Sequence, residues 1–143
     1  MHDEIELKLQ APPAALRDIL ESEFVCKIRV GAVSTRRLVS TYFDTPRHTL
    51  RKDGIALRIR RLPDGYEQTL KSPVPGAAGL QTYREWNSRV PDKVPSVAAV
   101  DDREVKSILT LGNRHKRLLP LFETDVERNT LPVRFGGCDI ELA

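Results

Sequence analysis

Charged and apolar residues alternate along several short segments of this chain. The pattern is clearest at the start, in the run Glu4-Ile5-Glu6-Leu7-Lys8. Successive side chains of an extended strand point to opposite faces, so Glu4, Glu6 and Lys8 would share one face. Three charges of both signs make a poor apolar core. They suit a site in which carboxylates hold a metal ion and an ammonium group meets an anion, although a solvated outer face gives the same pattern.

Four later segments repeat this alternation. They are Leu57-Arg58-Ile59-Arg60, Thr69-Leu70-Lys71, the run from Phe122 to Arg128, and Asp139-Ile140-Glu141-Leu142. A single basic strand is usually a solvated face, but five strands that each carry charge on alternate positions predict a shared polar interior. The cations that we expect to converge on one cavity, and to need an anion there, are Lys8, Arg58, Arg60, Lys71 and Arg128.

The remaining pattern predicts an α+β domain with mostly antiparallel strands and two or three helices. Expected strands cover residues 2–10, 24–33, 36–44, 55–62, 66–71, 80–90, 118–129 and 133–142. Pro12-Pro13 is expected to start a helix over residues 14–21. Ser96 is expected to cap a second helix over residues 97–111. The turn residues Asp64-Gly65 predict a hairpin, and Thr130-Leu131-Pro132 predicts a connection between the last two strands.

Composition argues against several functional classes. Net charge is only +3 and the basic residues are interleaved with acids, which argues against binding of nucleic acid. Cys26 and Cys138 are too few and too far apart in sequence for a zinc site or a disulfide framework. The sequence shows neither a secretory signal nor an apolar run of membrane-spanning length. We therefore expect a cytoplasmic protein that does not bind membranes.

An ordered set of motifs runs through nearly the whole chain. The set comprises Glu4-x-Glu6-x-Lys8, Tyr42-Phe43-Asp44-Thr45, Leu57-Arg58-Ile59-Arg60, Thr69-Leu70-Lys71, Gly79-Leu80, Glu85-Trp86-Asn87, Leu121-Phe122, Thr124-Asp125, Arg128 and Ile140-Glu141-Leu142-Ala143. Together they resemble the CYTH domain of the triphosphate tunnel metalloenzymes, and within that family the bacterial inorganic triphosphatases. The resemblance implies an antiparallel β tunnel and hydrolysis of inorganic triphosphate with Mg²⁺ or Mn²⁺.

The resemblance also implies roles for individual residues. Phosphate oxygens would be bound by Lys8, Arg58, Arg60, Lys71 and Arg128. Metal would be bound by Glu4 and Glu6, joined by Glu141, and the catalytic set would be Glu4, Glu6, Lys8 and Glu85. Glu85 occupies the place of a tunnel carboxylate, which would bind metal, orient water or pair with an arginine.

One position departs from the family pattern. Many relatives carry an arginine two residues before the tunnel glutamate, where this chain has Tyr83. Arg84 is adjacent to Glu85 and would point the other way in a regular strand. Either a β-bulge rotates Arg84 inward, where it would bind substrate, or this cation is missing.

The resemblance predicts a single domain over residues 1–143 that lacks its C-terminal strands, because the family domain usually continues beyond Ile140–Ala143. No helical CHAD domain would follow. An incomplete barrel exposes unpaired backbone groups at its edge. We expect a second copy of the chain to cover that edge as a homodimer, unless the expected strand over residues 24–33 closes it internally.

Other functions remain open at this point. The chain could bind polyphosphate or a nucleoside triphosphate without turnover. It could also act as an adenylate cyclase or a thiamine triphosphatase, the two activities that give the family its name. A cyclase would need contacts to adenine and ribose, which the sequence does not identify.

Overall fold

The chain forms strands and short helices in the part that the structure describes. The computed structural model describes residues 2–6, 9–73 and 81–143, with side chains from residue 9 onward except at positions 81 and 82. The strands are β1 (His2–Glu6), β2 (Ser34–Asp44), β3 (Ala56–Leu62), β4 (Gly65–Pro73), β5 (Gln81–Val90), β6 (Leu119–Phe135) and β7 (Cys138–Leu142). The helices are α1 (Pro13–Glu21), α2 (Glu23–Ile28), α3 (Thr49–Lys52) and α4 (Arg103–Thr110), with a 3₁₀ segment at Leu111–Arg117. This architecture confirms the predicted α+β class.

The chain divides into two compact units, of which the first comprises Met1–Leu7 and Leu38–Asp125. Its strands lie in the order β1-β5-β4-β3-β2-β6. The pairs from β1 to β2 along this order are all antiparallel. The predicted hairpin joins β3 to β4, where Leu62 pairs with Gly65. Gly65 has a φ of 137°, a conformation that side chains other than glycine rarely adopt.

One face of the first-unit sheet carries a hydrophobic core. Leu57 on β3 lies directly opposite Leu70 on β4, and each is 1% exposed. Leu70 in turn lies opposite Trp86 on β5. Val105 and Leu109 of α4 belong to the same cluster. Because side chains alternate along a strand, the residues between these core positions lie on the other face of the sheet.

Helix α4 begins later than the sequence predicts. Its N-cap is Asp102, whose carboxylate accepts the backbone N–H groups of Glu104 at 2.8 Å and Val105 at 3.3 Å. The hydroxyl of Ser96, the predicted cap, accepts the N–H of Ala99 at 3.3 Å, but the chain makes only a turn there. The buried amide of Gln68 donates to the Ser96 carbonyl at 3.2 Å and accepts the Ser96 N–H at 2.8 Å. The predicted start of the helix is wrong because Gln68 bonds the carbonyl that would accept the first helical hydrogen bond.

The Tyr42–Thr45 motif ends in a buried carboxylate with a structural role. The oxygens of Asp44 accept backbone N–H groups from Thr45 at 2.6 Å, Leu50 at 2.9 Å and Arg51 at 3.0 Å. Two of these donors belong to α3, a single turn whose first N–H groups have no partner within the helix. Asp44 therefore holds the connection between β2 and β3 in place.

The second unit comprises Lys8–Arg37 and Val126–Ala143. Its core cluster consists of Val25, Leu131 and Val133, with Leu20, Ile28 and Leu142 packed against it. Strand β7 pairs antiparallel with the end of β6. Both glycines of the intervening turn, Gly136 and Gly137, have positive φ.

The predicted strand over residues 24–33 is wrong. The segment begins within α2, where the Ser22 hydroxyl accepts the N–H of Val25 at 3.3 Å as an N-cap. Val25 and Ile28 lie one helical turn apart and pack into the core of the second unit. Phe, Val and Ile favour strands, but packing overrides that preference here. After α2, Arg29 makes one isolated β bridge with Val133, so internal closure by a strand over residues 24–33 loses its basis.

The predicted break at Thr130-Leu131-Pro132 is also wrong. Strand β6 runs without interruption from Leu119 to Phe135, and the chain turns at Gly136-Gly137 instead. Leu131 and Val133 are core residues of the second unit, and their burial keeps the segment extended. Proline lacks only an N–H donor, so Pro132 can occupy a strand position where that donor is not needed.

Candidate functional site

The face of the first-unit sheet opposite the core carries polar and charged residues. Directly opposed residues of antiparallel strands share a face. Arg58 lies opposite Tyr42 on β2 and Thr69 on β4, and Lys71 lies opposite Glu85 on β5. We call this surface the polar face; it includes Ser40, Tyr42, Arg58, Arg60, Glu67, Thr69, Lys71, Glu85, Asn87 and Arg89. The register thus brings together three of the predicted cations, Arg58, Arg60 and Lys71.

An ion pair occupies the β4–β5 part of the polar face. Lys71 Nζ lies 2.9 Å from Glu85 Oε2, and the side chains are 23% and 11% exposed. The other oxygen of Glu85, Oε1, accepts a hydrogen bond from Asn87 Nδ2 at 3.0 Å. Asn87 Oδ1 in turn accepts from the buried hydroxyl of Thr69 at 2.6 Å. Both oxygens of Glu85 are therefore engaged by donors of the chain.

These partners keep Glu85 ionised. Burial raises the pKa of Glu85, but hydrogen bonds from Lys71 and Asn87 and the charges of Lys71 and Arg58 together lower it by more. The pKa of the Glu85 carboxyl consequently lies below its ordinary value. Opposite charge and hydrogen bonds to the charged form are the two influences that favour a carboxylate.

Arg58 has a buried donor that no described residue satisfies. Its Nε has no hydrogen-bond partner among the described residues. By contrast, Arg60 Nε donates to Ser40 Oγ at 3.1 Å. A buried polar group without a partner is costly, and such groups concentrate at sites that bind a ligand, ion or water. Arg58 is thus the group on the polar face best prepared to receive an anion.

The sequence profile of the CYTH domain matches residues 2–142. This chain belongs to the CYTH domain family. The match covers nearly the whole sequence, including every strand and helix described above.

A curated relative of this CYTH domain is the inorganic triphosphatase of Haemophilus influenzae. The two sequences are 28% identical over 144 residues, which cover 100% of this chain and 39% of the relative. This chain therefore spans well under half the length of that protein.

Two solved structures share the fold. One is a candidate adenylate cyclase from Bacillus halodurans, with a TM-score of 0.56 and 19% identity over 99% of this chain and 79% of the other. The second is a candidate adenylyl cyclase from Hippeastrum, described as having a dominant triphosphatase activity, with a TM-score of 0.61 and 19% identity over 99% of this chain and 71% of the other. At this identity the likeness supports the fold alone.

The first strand of the CYTH domain carries the predicted metal ligands. The register of β1 sets Glu4 opposite Tyr83 and Glu6 opposite Gln81, and it sets His2 opposite Glu85. The side chains of Glu4 and Glu6 and the whole of Lys8 lie outside the described residues. Among the side chains that are described, no group of three His, Cys, Asp or Glu residues is arranged to hold a metal ion.

Arg84 is not brought to the polar face of the CYTH domain. Strands β4 and β5 pair in a regular register, with Ser72 opposite Arg84 and Lys71 opposite Glu85, so no bulge rotates Arg84 inward. Its guanidinium lies 3.2 Å from a carboxylate oxygen of Glu104 on α4. Arg84 therefore lies on the side of the sheet that packs against α4. It does not lie on the polar face, where a substrate ligand was expected.

Arg128 and Glu141 belong to the second unit. Arg128 lies on β6 and is exposed, and Glu141 lies on β7 opposite Pro132. Glu141 lines a groove of that unit together with Val30 and Ile140. Neither residue is among the contacts of the polar face described above.

Sequence reasoning assigned no role to Thr69, Asn87 or Ser40, although all three bond to members of the polar face. For Thr69 and Asn87 the sequence did contain a signal. Thr69 and Lys71 alternate along β4, and Asn87 follows Glu85 by two residues on β5, so the same alternation that identified the charged residues includes them. Ser40 carries no comparable signal, because its role depends on its register with Arg60.

The described residues include no helix with the length and hydrophobicity needed to span a membrane.

Proposed function

We propose that this CYTH domain hydrolyses inorganic triphosphate in a reaction that depends on a divalent metal ion. The observation that carries the proposal is the buried Nε of Arg58, which has no hydrogen-bond partner among the described residues. A phosphate oxygen would satisfy that donor, and arginine binds phosphate well because its planar fork can donate two parallel hydrogen bonds. Family membership and the triphosphatase relative support the same substrate class.

The cations of the chain would share the work of binding the polyanion. Arg58, Arg60 and Lys71 share the polar face in register, and we assign them to phosphate oxygens. Several cations along its length are needed because a triphosphate carries several negative charges, and preorganised charges stabilise the transition state of phosphoryl transfer.

Metal binding is assigned to carboxylates other than Glu85. Each oxygen of Glu85 already meets one donor of the chain, Lys71 or Asn87, so a metal ion would have to compete with the Lys71 ammonium for this carboxylate. Glu4 and Glu6 would hold Mg²⁺ or Mn²⁺, since hard divalent cations prefer carboxylate oxygens. The bound ion would neutralise charge on phosphate oxygens and help to orient water.

The proposed reaction adds water across one phosphoanhydride bond. The water oxygen bonds to the terminal phosphorus, the bond to the bridging oxygen breaks, and the products are phosphate and pyrophosphate. Negative charge grows on the leaving pyrophosphate, where Arg58, Arg60 and Lys71 can neutralise it. Glu85 acts by holding Lys71 in place through their ion pair.

A binding module is the second candidate. The full engagement of Glu85 favours it, because a site that holds polyphosphate or a nucleoside triphosphate without turnover needs cations more than free carboxylates. Adenylate cyclase and thiamine triphosphatase activities would use the same cations with a larger substrate.

One assay separates these functions. Phosphate and cyclic AMP are measured after incubation of the chain with tripolyphosphate, ATP or thiamine triphosphate, with Mg²⁺, Mn²⁺ or EDTA. The proposal expects release of phosphate from tripolyphosphate that requires metal and exceeds release from the two organic substrates. Saturable binding of tripolyphosphate without phosphate release would replace the proposal with the binding module. Production of cyclic AMP from ATP would replace it with a cyclase.

A further inference from the structure

A short hydrogen-bonded chain links the floor of the polar face to its ion pair. The buried Thr69 hydroxyl donates to Asn87 Oδ1 at 2.6 Å, and Asn87 Nδ2 donates to Glu85 Oε1 at 3.0 Å. Glu85 Oε2 then meets Lys71 Nζ at 2.9 Å. The four residues lie side by side on β4 and β5, with Thr69 opposite Asn87 and Lys71 opposite Glu85. We call the two hydrogen bonds that run from Thr69 through Asn87 to Glu85 the Thr69–Asn87 link.

The direction of each bond in this link is fixed by chemistry. An asparagine amide has a donor end and an acceptor end, and a carboxylate can only accept. The Thr69 hydroxyl, by donating to Oδ1, leaves the NH₂ group facing Glu85. If the amide turned over, Oδ1 would face the carboxylate and repel it. The Glu85 carboxylate therefore determines which end of the Asn87 amide faces it, and the Thr69 hydroxyl, by donating to the other end, holds Asn87 and through it Glu85 in place.

We propose that Thr69 and Asn87 are positioning residues that hold the Glu85 carboxylate, and through it the Lys71 ammonium, in the geometry that hydrolysis of the triphosphate requires. The proposal rests on the proposed function for its effect on rate. Neither residue needs to touch the substrate. Arg58 on β3 lies opposite Thr69 on β4, so the link also lies beside the Nε donor of Arg58, to which a phosphate oxygen would bind. A small displacement of Lys71 or Arg58 would lower the rate, because catalysis depends on charges placed where negative charge develops.

The first test compares variants of Thr69. Thr69→Val keeps the shape of the side chain and loses the hydroxyl, and we expect kcat for tripolyphosphate to fall about tenfold with a smaller change in KM. Thr69→Ser keeps the hydroxyl and should recover most of kcat. Thr41→Val is the control, because the Thr41 hydroxyl donates to another side-chain oxygen of the first unit, Glu123 Oε2 at 3.0 Å, but Thr41 lies away from the polar face. It should leave kcat unchanged.

The second test compares variants of Asn87. Asn87→Asp is the closest in shape, but it replaces the donor to Glu85 with a second carboxylate. Asn87→Leu removes the donor without adding charge. We expect kcat to fall more for Asp than for Leu, since like charges in contact would push Glu85 away from Lys71. If Asn87 served only to fill space, the order would be reversed, and that result would overturn the proposal.

An NMR measurement tests the inference independently of the proposed function. In a ¹H–¹⁵N spectrum, the two Asn87 side-chain amide protons should differ strongly in shift because one is donated to a carboxylate. Thr69→Val should reduce that difference and Thr69→Ser should keep it. If the wild-type chain fails to hydrolyse tripolyphosphate but shows this pattern, the proposed function is lost and the link stands. Unchanged kcat in Thr69→Val, or an unchanged amide spectrum where the wild type has no activity, overturns the link.

Discussion

Lys71 and Glu85 form an ion pair on the polar face that is largely shielded from solvent. Their charged atoms are 2.9 Å apart, and the side chains are 23% and 11% exposed. Arg89 and Asp64 form a pair of the same 2.9 Å length in the same unit, but their side chains are 60% and 71% exposed. Solvent and salt screen exposed pairs far more than buried ones. Two ion pairs of equal length should therefore contribute differently to stability.

Glu85→Gln should remove a pH-dependent part of the stability of the first unit. The pKa of Glu85 is lowered in the folded chain, so ionised Glu85 stabilises the fold above its ordinary pKa. This stability is lost as the pH falls through the lowered pKa. Denaturant titration from pH 7 downward, with EDTA present, should give a free energy of unfolding about 1–2 kcal/mol lower for the variant at neutral pH, with the difference vanishing in acid.

The exposed pair supplies the control for this experiment. Hydrogen bonding and charge from Arg89 lower the pKa of Asp64, but the pair is open to solvent. Arg89→Gln should leave the free energy of unfolding nearly unchanged at moderate salt. If the free energy of unfolding falls as much in Arg89→Gln as in Glu85→Gln, burial of the Lys71–Glu85 pair is not what makes it stabilising.

Asp44→Asn should destabilise the first unit strongly. The buried carboxylate accepts three backbone N–H groups, from Thr45, Leu50 and Arg51. An amide has one acceptor oxygen, so at least one of these N–H groups would face the NH₂ group and lose its partner. We expect a loss of about 2–3 kcal/mol in the free energy of unfolding, measured by denaturant titration. The exposed Asp92 also accepts a backbone N–H, from Val94 at 2.9 Å. Asp92→Asn should cost much less, and equal losses would contradict the argument from burial.

Much of the polar face was predictable from the sequence because strand alternation is a local rule. The spacing of Arg58, Arg60 and Lys71 was enough to assign them to a common face once the Asp64-Gly65 hairpin fixed the register of β3 and β4. The α+β class followed from the same alternation. Both inferences depend on residues close together in sequence, where a turn determines the pairing.

The failures have a common physical origin in contacts between residues distant in sequence. Helix α2 forms because Val25 and Ile28 pack against Leu131 and Val133, which a local strand preference cannot anticipate. No helix follows Ser96 because Gln68, remote in sequence, bonds its backbone. Sequence alone also left Asn87 without a role, since that role depends on its hydrogen bonds to Thr69 and Glu85.

Glu4→Gln and Glu6→Gln should each abolish or greatly reduce metal-dependent hydrolysis of tripolyphosphate. Glutamine keeps the shape of the side chain but loses the charge that a hard cation needs. The fold should be intact, as judged by an unchanged thermal unfolding temperature in EDTA. Glu104→Gln is a suitable control, because Glu104 pairs with Arg84 away from the polar face. Normal Mg²⁺- or Mn²⁺-dependent activity in Glu6→Gln would show that the ligand assignment is wrong.

Arg58→Lys should weaken the binding of tripolyphosphate even though it keeps the positive charge. Lysine cannot replace the Nε donor of Arg58, which has no hydrogen-bond partner within the described part of the chain. Losing one hydrogen bond to a charged phosphate corresponds to at least about a tenfold rise in Kd, measured by calorimetry in EDTA so that metal binding does not contribute. Arg61→Lys provides the matched control, because Arg61 is the exposed arginine three positions further along β3 and lies opposite Tyr66 rather than on the polar face. Equal affinity in wild type and Arg58→Lys would mean that the unsatisfied Nε does not receive the phosphate, and the assignment of the anion site would have to move along the polar face to Arg60 and Lys71.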